Sequence, residues 1–343
     1  MSLLTPVRNR EGRSADALAG LAATSIDTAD LAPETLERTL FVASAGGHIA
    51  ELSRLSTGMR AAEDSVWVTF DGPQTRSLLA GKESVYLPYV APRDLRGVLR
   101  SFVAIRALLR SGRFDRVVST GAAVAVGAFA AARSVGIPGI YIESVARLRG
   151  PSLTGRIVAG LHLAEVRTQH ASWSGRRWLT WPSVLGHFRS TPLSHDGLGS
   201  GPVRVFVTLG TIKPYRFDSV VDAVLRSGLA DDDTVWQVGS TSRTDLPGRV
   251  VEQMPWDEFA DCVREADVVV THAGVGTILD VLELGAHPVV VPRAALRGEH
   301  VDDHQQQIAD HVDALRLATV VDADLLDARH LRAAAALGTR VGA

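Results

Sequence analysis

The chain has 343 residues, 46% of them hydrophobic and 22% charged, with a formal net charge of −2. That length suits about two domains of ordinary size, and the hydrophobic share is ample for buried sheets. No apolar run reaches the roughly 18–20 residues that cross a bilayer, the first residues lack the apolar core of a signal peptide, and a single cysteine, Cys262, excludes an intramolecular disulfide or a cysteine metal cluster. A reducing cytoplasm fits these features, with Cys262 read as a small packed residue.

The near-neutral total hides an asymmetry. Residues 38–190 carry 20 Lys and Arg against 9 Asp and Glu, whereas residues 201–325 carry 10 against 21. The first half therefore favours an anionic partner and the second does not. The basic half shows none of the nucleic-acid recognition motifs, so no nucleic acid is expected. An anionic membrane surface, or a lipid bearing a diphosphate, is the better match.

Residues 1–36 lack a strong period and are expected to form a flexible tail. Residues 39–44 read as a strand, followed by Ser44-Ala45-Gly46-Gly47-His48 and a helix to about residue 60. Strands are expected at 65–70, 84–87, 114–119 and 137–142. Helices fall at 94–110, with Leu95, Val98, Leu99, Phe102, Ile105, Leu108 and Leu109 at helical spacing, and at 121–135. Residues 147–200 are looser. A linker at 194–202 separates an N-terminal domain (37–193) from a C-terminal one (203–325), with a helix or tail over 326–343. In the second domain strands are expected at 204–208, 234–238, 250–252, 266–270, 288–291 and 318–321. The helices between them fall at 218–229, 256–265 and from Thr277 to near Gly285, and a last one starts near Asp324. Alternating strands and helices imply α/β architecture with two parallel doubly wound sheets, that is, two Rossmann-like domains facing across a cleft. Ligands of such sheets bind at the carboxyl ends of the strands.

The stretch Thr271-His272-Ala273-Gly274-Val275-Gly276-Thr277-Ile278-Leu279-Asp280 is the most informative. A glycine-rich turn at a helix N-terminus offers backbone N–H groups and a positive dipole end to a diphosphate. Asp280, near one turn into the helix, is placed to accept the two hydroxyls of a ribose. The amides of Gln305 and Gln306 can donate and accept, as a sugar's hydroxyls require. In the first half, Gly46-Gly47-His48 lets a ligand approach the backbone, and His48 is a candidate general base; an ordinary strand-to-helix turn is the competing reading. The sequence is not Gly-x-Gly-x-x-Gly, and only Asp71 ends the second strand, which leaves little for a nicotinamide cofactor. Thr120-Gly121 is either a second phosphate cradle or a tight packing turn. Glu143 is either an active-site carboxylate or a buried partner of Arg147 or Arg149. Gly210-Thr211 is a further diphosphate candidate. The helix at 94–113 carries Arg96, Arg100, Arg106, Arg110 and Arg113 around its apolar stripe, which makes membrane docking a competitor to a solvated face. His300 and His304 stand four apart with Asp302 and Asp303 between them, a weak metal signal.

Three motifs in order carry a family resemblance over residues 38–325. Val205-Phe206-Val207-Thr208-Leu209-Gly210-Thr211, the 271–280 stretch and Asp303-His304-Gln305-Gln306-Gln307-Ile308-Ala309 resemble the catalytic subunit of the dolichol-linked UDP-N-acetylglucosamine transferase and the C-terminal half of the lipid II-forming transferase of family 28. Ser44-Ala45-Gly46-Gly47-His48, Tyr141-Ile142-Glu143-Ser144-Val145-Ala146-Arg147 and Ser152-Leu153-Thr154-Gly155-Arg156 resemble the membrane-recruiting partner subunit, so the chain is similar to a fusion of the two. Bacterial exopolysaccharide transferase pairs are similar as well. The resemblance implies a GT-B glycosyltransferase, inverting and metal-independent, with no cofactor. It would move a sugar from a UDP-sugar to a polyprenyl-diphosphate-linked saccharide, as a peripheral protein on the inner face of the cell membrane. On that resemblance Met254 and Pro255 flank the uracil and Asp280 binds the ribose. His272, Ala273, Gly274, Gly276, Thr277, Gly210 and Thr211 hold the diphosphate, and His304, Gln305 and Gln306 surround the sugar. Gly46, Gly47, Thr120, Gly121 and Arg147 face the acceptor, and His48, or else Glu143, takes its proton. The rival readings are transfer to a soluble natural product, a UDP-N-acetylglucosamine 2-epimerase, and a non-catalytic nucleotide-sugar-binding scaffold.

Overall fold

The structure is a computed structural model that describes residues 36–91, 93–112, 114–193, 201–210, 215–299 and 304–342. All but residue 36 of the expected tail over 1–36, and most of the expected linker, lie outside these residues. Residues 37–343 form one compact unit.

In chain order the first half runs β1 (Thr39–Val42), α1 (Gly47–Ser56), β2 (Val66–Phe70), α2 (Pro73–Leu78), β3 (Ser84–Leu87), α3 (Leu95–Leu109), β4 (Arg116–Ser119), α4 (Ala123–Ser134), β5 (Gly139–Ile142), α5 (Leu153–Gly160), β6 (Glu165–Thr168), β7 (Trp178–Thr180) and β8 (Phe188–Pro192). Its seven-stranded sheet has the order β3-β2-β1-β4-β5-β6-β7, and every pairing in it is parallel. The central strands are short and apolar on both faces: Leu40, Val42, Val66, Val68 and Val117 are fully buried against α3, α4 and α5 on one side. Phe41, Trp67, Val118 and Ile142 pack with α1 on the other. Buried two-faced strands of this kind are the signature of parallel sheets.

The second half runs β9 (Val205–Thr208), α6 (Asp218–Arg226), β10 (Val235–Gln237), β11 (Arg249–Val251), α7 (Trp256–Glu265), β12 (Val268–His272), α8 (Val275–Glu283), β13 (Val289–Val291), α9 (His304–Ala314), β14 (Thr319–Val320), α10 (Ala328–Ala335) and β15 (Leu337–Val341). Its six-stranded parallel sheet has the order β11-β10-β9-β12-β13-β14. Both sheets therefore reverse their winding at one point, between β1 and β4 in the first and between β9 and β12 in the second. A doubly wound sheet opens its ligand crevice at that reversal, outside the carboxyl ends of the two strands.

Two features depart from the expectations. The chain's last segment is a strand as well as a helix: β15 pairs antiparallel with β8, Leu337 opposite Pro192 through Val341 opposite Phe188, so the C-terminus returns to the first half. The facing surfaces of the halves are also packed, not open, where α1 meets α8. One apolar cluster runs from Phe41, Ile49 and Leu52 to Ile278, Leu279 and Leu282 of α8 and on to Ile308, Ala309 and Val312 of α9.

Candidate active site

At the first reversal point the chain leaves β1 through Gly46, whose φ of 83° suits glycine, and enters α1 at Gly47. The turn after β4 lies beneath it. Thr120 Oγ1 donates to the His48 carbonyl at 2.8 Å, and a β-carbon on Gly121 would lie 3.0 Å from His48 Cε1. Gly46, Gly47, His48, Thr120 and Gly121 are thus brought together by the sheet. The His48 ring is half-buried, with a buried Nδ1 that has no hydrogen-bond partner among the described residues. Burial, reinforced by the nearby Arg147 guanidinium, pushes His48 down to about 4, so the imidazole is neutral and a proton acceptor at neutral pH.

Glu143 ends β5 close by but is fully engaged. It accepts from Tyr141 Oη at 2.9 Å, the Ser152 amide at 2.9 Å, Ser152 Oγ at 3.1 Å and the Ser144 amide at 3.3 Å. Its hydrogen bonds tie β5 to the start of α5, whose N-cap is Ser152. Both Glu143 oxygens are thus engaged in anchoring the β5–α5 connection, and the nearby Arg147 guanidinium favours its charged form. A second buried carboxylate, Glu51, was not singled out from the sequence. It accepts from the Val145 amide at 2.7 Å and from Gln169 Nε2, and burial lifts it to about 7. It stands one turn after His48 on α1, and that spacing was the available signal.

At the second reversal point the His272 ring fills the space between two turns. A β-carbon on Gly210 (φ 71°) would lie 2.5 Å from His272 Cε1, and one on Gly274 would collide with His272 Nε2. Both positions need glycine because the imidazole lies against them. Helix α8 starts at Val275 with Gly274 as its N-cap, so the amides of Val275, Gly276 and Thr277 form its first turn. Met254 is half-buried against the Phe206–Phe259 cluster, and its amide donates to Gln237 Oε1 at 3.3 Å. Pro255 caps α7 and is exposed. A solvent-open hollow of about 480 Å³, lined by Val238 to Arg243 and Glu252, lies beside it at the carboxyl ends of β10 and β11. Thr211 lies outside the described residues, as do His300, Asp302, Asp303 and the side chain of His304. Among the described residues no three His, Cys, Asp or Glu converge as a metal cluster.

Asp280 is held in a way the sequence reading did not anticipate. Arg54 of α1 donates to Asp280 Oδ1 at 2.7 Å and to both oxygens of Glu283 at 2.6 Å. The Arg54 side chain is only 10% exposed and that of Asp280 17%. Burial, opposed by Arg54, lifts Asp280 to about 6. Just above this ion triad, a β-carbon on Gly276 would sit 3.4 Å from the Gly47 Cα. The two glycine turns, one from each reversal point, therefore abut. A second contact between the halves sets the His170 ring against that of His311, centroids 4.9 Å apart, with burial holding both imidazoles below their ordinary value.

Gln305 is buried, and its Oε1 accepts from the Arg293 amide at 3.1 Å, which leaves its Nε2 to donate. Gln306 Nε2 donates to Asp310 Oδ1 at 2.7 Å along α9. The sequence reading missed Arg293, Gln237 and Arg54. Arg54 was legible only as a basic residue two turns after His48, on the helix that carries the glycine turn. Cys262 packs in the Phe206–Phe259 cluster, and burial pushes its thiol up, which agrees with a packing role.

The pair of parallel sheets with glycine turns at both reversal points defines a GT-B protein. Solved structures agree on the fold: MurG of Acinetobacter baumannii (TM-score 0.53, 16% identity, 86% of this chain and 89% of that one) and the spinosyn forosaminyltransferase SpnP (TM-score 0.55, 16% identity, 88% and 93%). Residues 219–328 match the glycosyltransferase family 28 C-terminal domain, and the chain is a glycosyltransferase. Among curated relatives, the UDP-N-acetylglucosamine--N-acetylmuramyl-(pentapeptide) pyrophosphoryl-undecaprenol N-acetylglucosamine transferase of Xanthomonas campestris pv. campestris is 26% identical over 302 residues, 81% of this chain and 69% of the relative. The enzyme of the same name from Synechococcus sp. (strain CC9311) is 28% identical over 297 residues, 78% and 79% of the two chains.

Proposed function

We propose that the chain moves a hexose, N-acetylglucosamine first among the candidates, from its UDP-sugar to a polyprenyl-diphosphate-linked saccharide, with inversion and without a metal ion. The observation that carries the reading is the meeting of the two reversal points, Gly47-His48 from one sheet and His272-to-Thr277 from the other. The names of the curated relatives, each ending in N-acetylglucosamine transfer to a pyrophosphoryl-undecaprenol substrate, support the substrate class. In this reading the uracil lies by Met254 and Pro255, the ribose on Asp280, and the diphosphate on the first-turn amides of α8 and on Gly210-Thr211. The sugar lies by His304, Gln305 and Gln306. The acceptor lies along Gly46, Gly47, Thr120, Gly121 and Arg147.

An acceptor hydroxyl oxygen attacks the anomeric carbon as the bond from that carbon to the β-phosphate oxygen breaks. The electron pair leaves with UDP, where backbone dipoles stabilise it, and the hydroxyl proton passes to His48. A base held near 4 is weak, but the incoming diphosphate's negative charge raises it toward the working pH. Arg54 occupies only Oδ1 of Asp280, which leaves Oδ2 to accept from the ribose.

Helix α3 supports attachment to an anionic membrane surface. Its inner face is Gly97, Ser101, Ile105 and Leu109. Leu95 (82% exposed) and Leu99 (62%), both on the expected apolar stripe, face outward together with Val103 (59%) beside exposed Arg96, Arg100 and Arg110. Arg106 is tied to Ser134 of α4 at 2.9 Å, and Arg113 lies outside the described residues. No helix among the described residues is long and apolar enough to cross a membrane.

The test is calorimetry of UDP binding. Asp280→Ala is expected to weaken it by about 1.5–3 kcal/mol, the loss of a charge-assisted hydrogen bond. Unchanged affinity would remove Asp280 from the donor site.

A further inference from the structure

Arg293 follows β13 and is 2% exposed, yet among the described residues no carboxylate hydrogen-bonds it. Its guanidinium donates instead to four main-chain carbonyls: Leu209 at 2.6 Å, Tyr215 and Glu299 at 3.1 Å, and Arg216 at 3.3 Å. Its Nε is buried without a partner among the described residues, and the group lies over the Phe217 ring at 4.7 Å. Its own amide holds Gln305. Burial pulls Arg293 down to about 10, so the charge persists at neutral pH. Glu299, from the same loop, reaches Ser219 Oγ at 2.5 Å and the Ala294 amide at 3.1 Å, so its carboxylate is spent on the scaffold.

One of the four carbonyls matters chemically. The Leu209 carbonyl and the Gly210 N–H belong to the same planar peptide and point to opposite sides of it. A cationic donor on the carbonyl polarises that peptide and makes its N–H a stronger donor. We propose that Arg293 is a positioning residue of the donor site: it fixes and polarises the Leu209–Gly210 peptide so that the Gly210 amide receives the diphosphate of the nucleotide. The buried cation also lies one peptide away from that diphosphate, in surroundings that screen it little. Arg293 touches no donor atom. It acts through the peptide and through Gln305, and it ties together the turn after β9, the entry to α6 and the loop after β13. This inference rests on the assignment of the UDP diphosphate to Gly210.

The experiment compares UDP with uridine by calorimetry in the wild type, Arg293→Met and Arg293→Lys, with thermal melts run alongside. Arg293→Met is expected to lose roughly tenfold or more in UDP affinity while uridine binding stays within about twofold, a split that loss of scaffolding alone does not produce. Arg293→Lys keeps the charge but cannot reach the Leu209 and Tyr215 carbonyls together; it is expected to lose UDP affinity by several-fold with uridine unchanged. If Arg293→Met does not fold, the lysine variant alone decides. Equal losses for UDP and uridine, or no loss of UDP, would overturn the role of Arg293. A wild-type protein that binds UDP no better than uridine would instead overturn the diphosphate assignment on which it rests.

Discussion

Replacing Arg54 with alanine isolates the contact that holds α1 to α8. The substitution removes three charge-assisted hydrogen bonds, one to Asp280 and two to Glu283, and a fourth bond to the Ala50 carbonyl at 3.0 Å. Breaking a fully buried pair costs about 3–5 kcal/mol, whereas an exposed pair contributes about 0–1 kcal/mol. Asp280 is 17% exposed and Glu283 39%, so the buried figure applies mainly to Asp280, and about 2–3 kcal/mol is expected at pH 8. The cost depends on pH. The folded-state value of Asp280, about 6, lies above its ordinary 3.8. The folded protein therefore holds the extra proton, and stability from this group falls as pH rises through that window. Without Arg54 the value climbs further and the penalty at pH 8 grows. At pH 5 Asp280 is mostly neutral in either protein, and the cost shrinks to about 1 kcal/mol. Urea unfolding of wild type and Arg54→Ala at pH 5 and 8 measures the difference. Equal losses at both pH values, or under 1 kcal/mol at pH 8, would refute the reasoning.

Three further outcomes follow from the site. If His48 is the base, the acid limb of kcat/KM, which reports the free enzyme, falls near pH 4, while that of kcat lies higher because bound diphosphate raises the imidazole; coincident limbs that persist in His48→Gln would assign the base elsewhere. Glu51→Gln keeps an acceptor for the Val145 amide and removes a carboxylate whose folded-state value is about 7 against an ordinary 4.5. It should stabilise the protein by about 2 kcal/mol at pH 8 and by little at pH 4.5, since the wild-type penalty develops only as pH rises between those values; a gain that does not depend on pH would contradict this. Leu99→Asp on α3 should abolish sedimentation with anionic vesicles and leave UDP binding unchanged, whereas sedimentation equal to wild type would place any membrane contact on another face.

Much of the architecture was legible because parallel sheets announce themselves. Strands such as Leu40–Val42 and Val268–Val270 are apolar runs closed by glycine, and amphipathic helices lie between them. The reading failed where that signal is absent. Strand β6, Glu165-Val166-Arg167-Thr168, is mostly polar, and β15 follows an alanine-rich helix and finds its partner some 145 residues upstream. On α3 the apolar residues outnumber what one face can bury, and only the fold decides that Ile105 and Leu109 turn inward and Leu95 and Leu99 outward. At the site, glycine turns and their order were visible because they are local. Arg54, Glu51 and Arg293 were not, because each acts through partners far along the chain: Asp280 lies 226 residues from Arg54, and Leu209 lies 84 from Arg293. A lone arginine in a sequence carries no trace of such a partner.

The central claim is tested most directly by incubating the purified chain with EDTA, polyprenyl-diphosphate-linked saccharide in vesicles, and in turn the UDP-activated forms of N-acetylglucosamine, glucose, galactose and glucuronate. UDP release and lipid product are followed together. The account predicts one UDP released for each sugar joined to the lipid, with inversion at the anomeric carbon, for one of these donors. Absence of UDP release with every donor, recovery of the donor as an epimer without transfer, or turnover that appears only when a divalent ion is restored would contradict it.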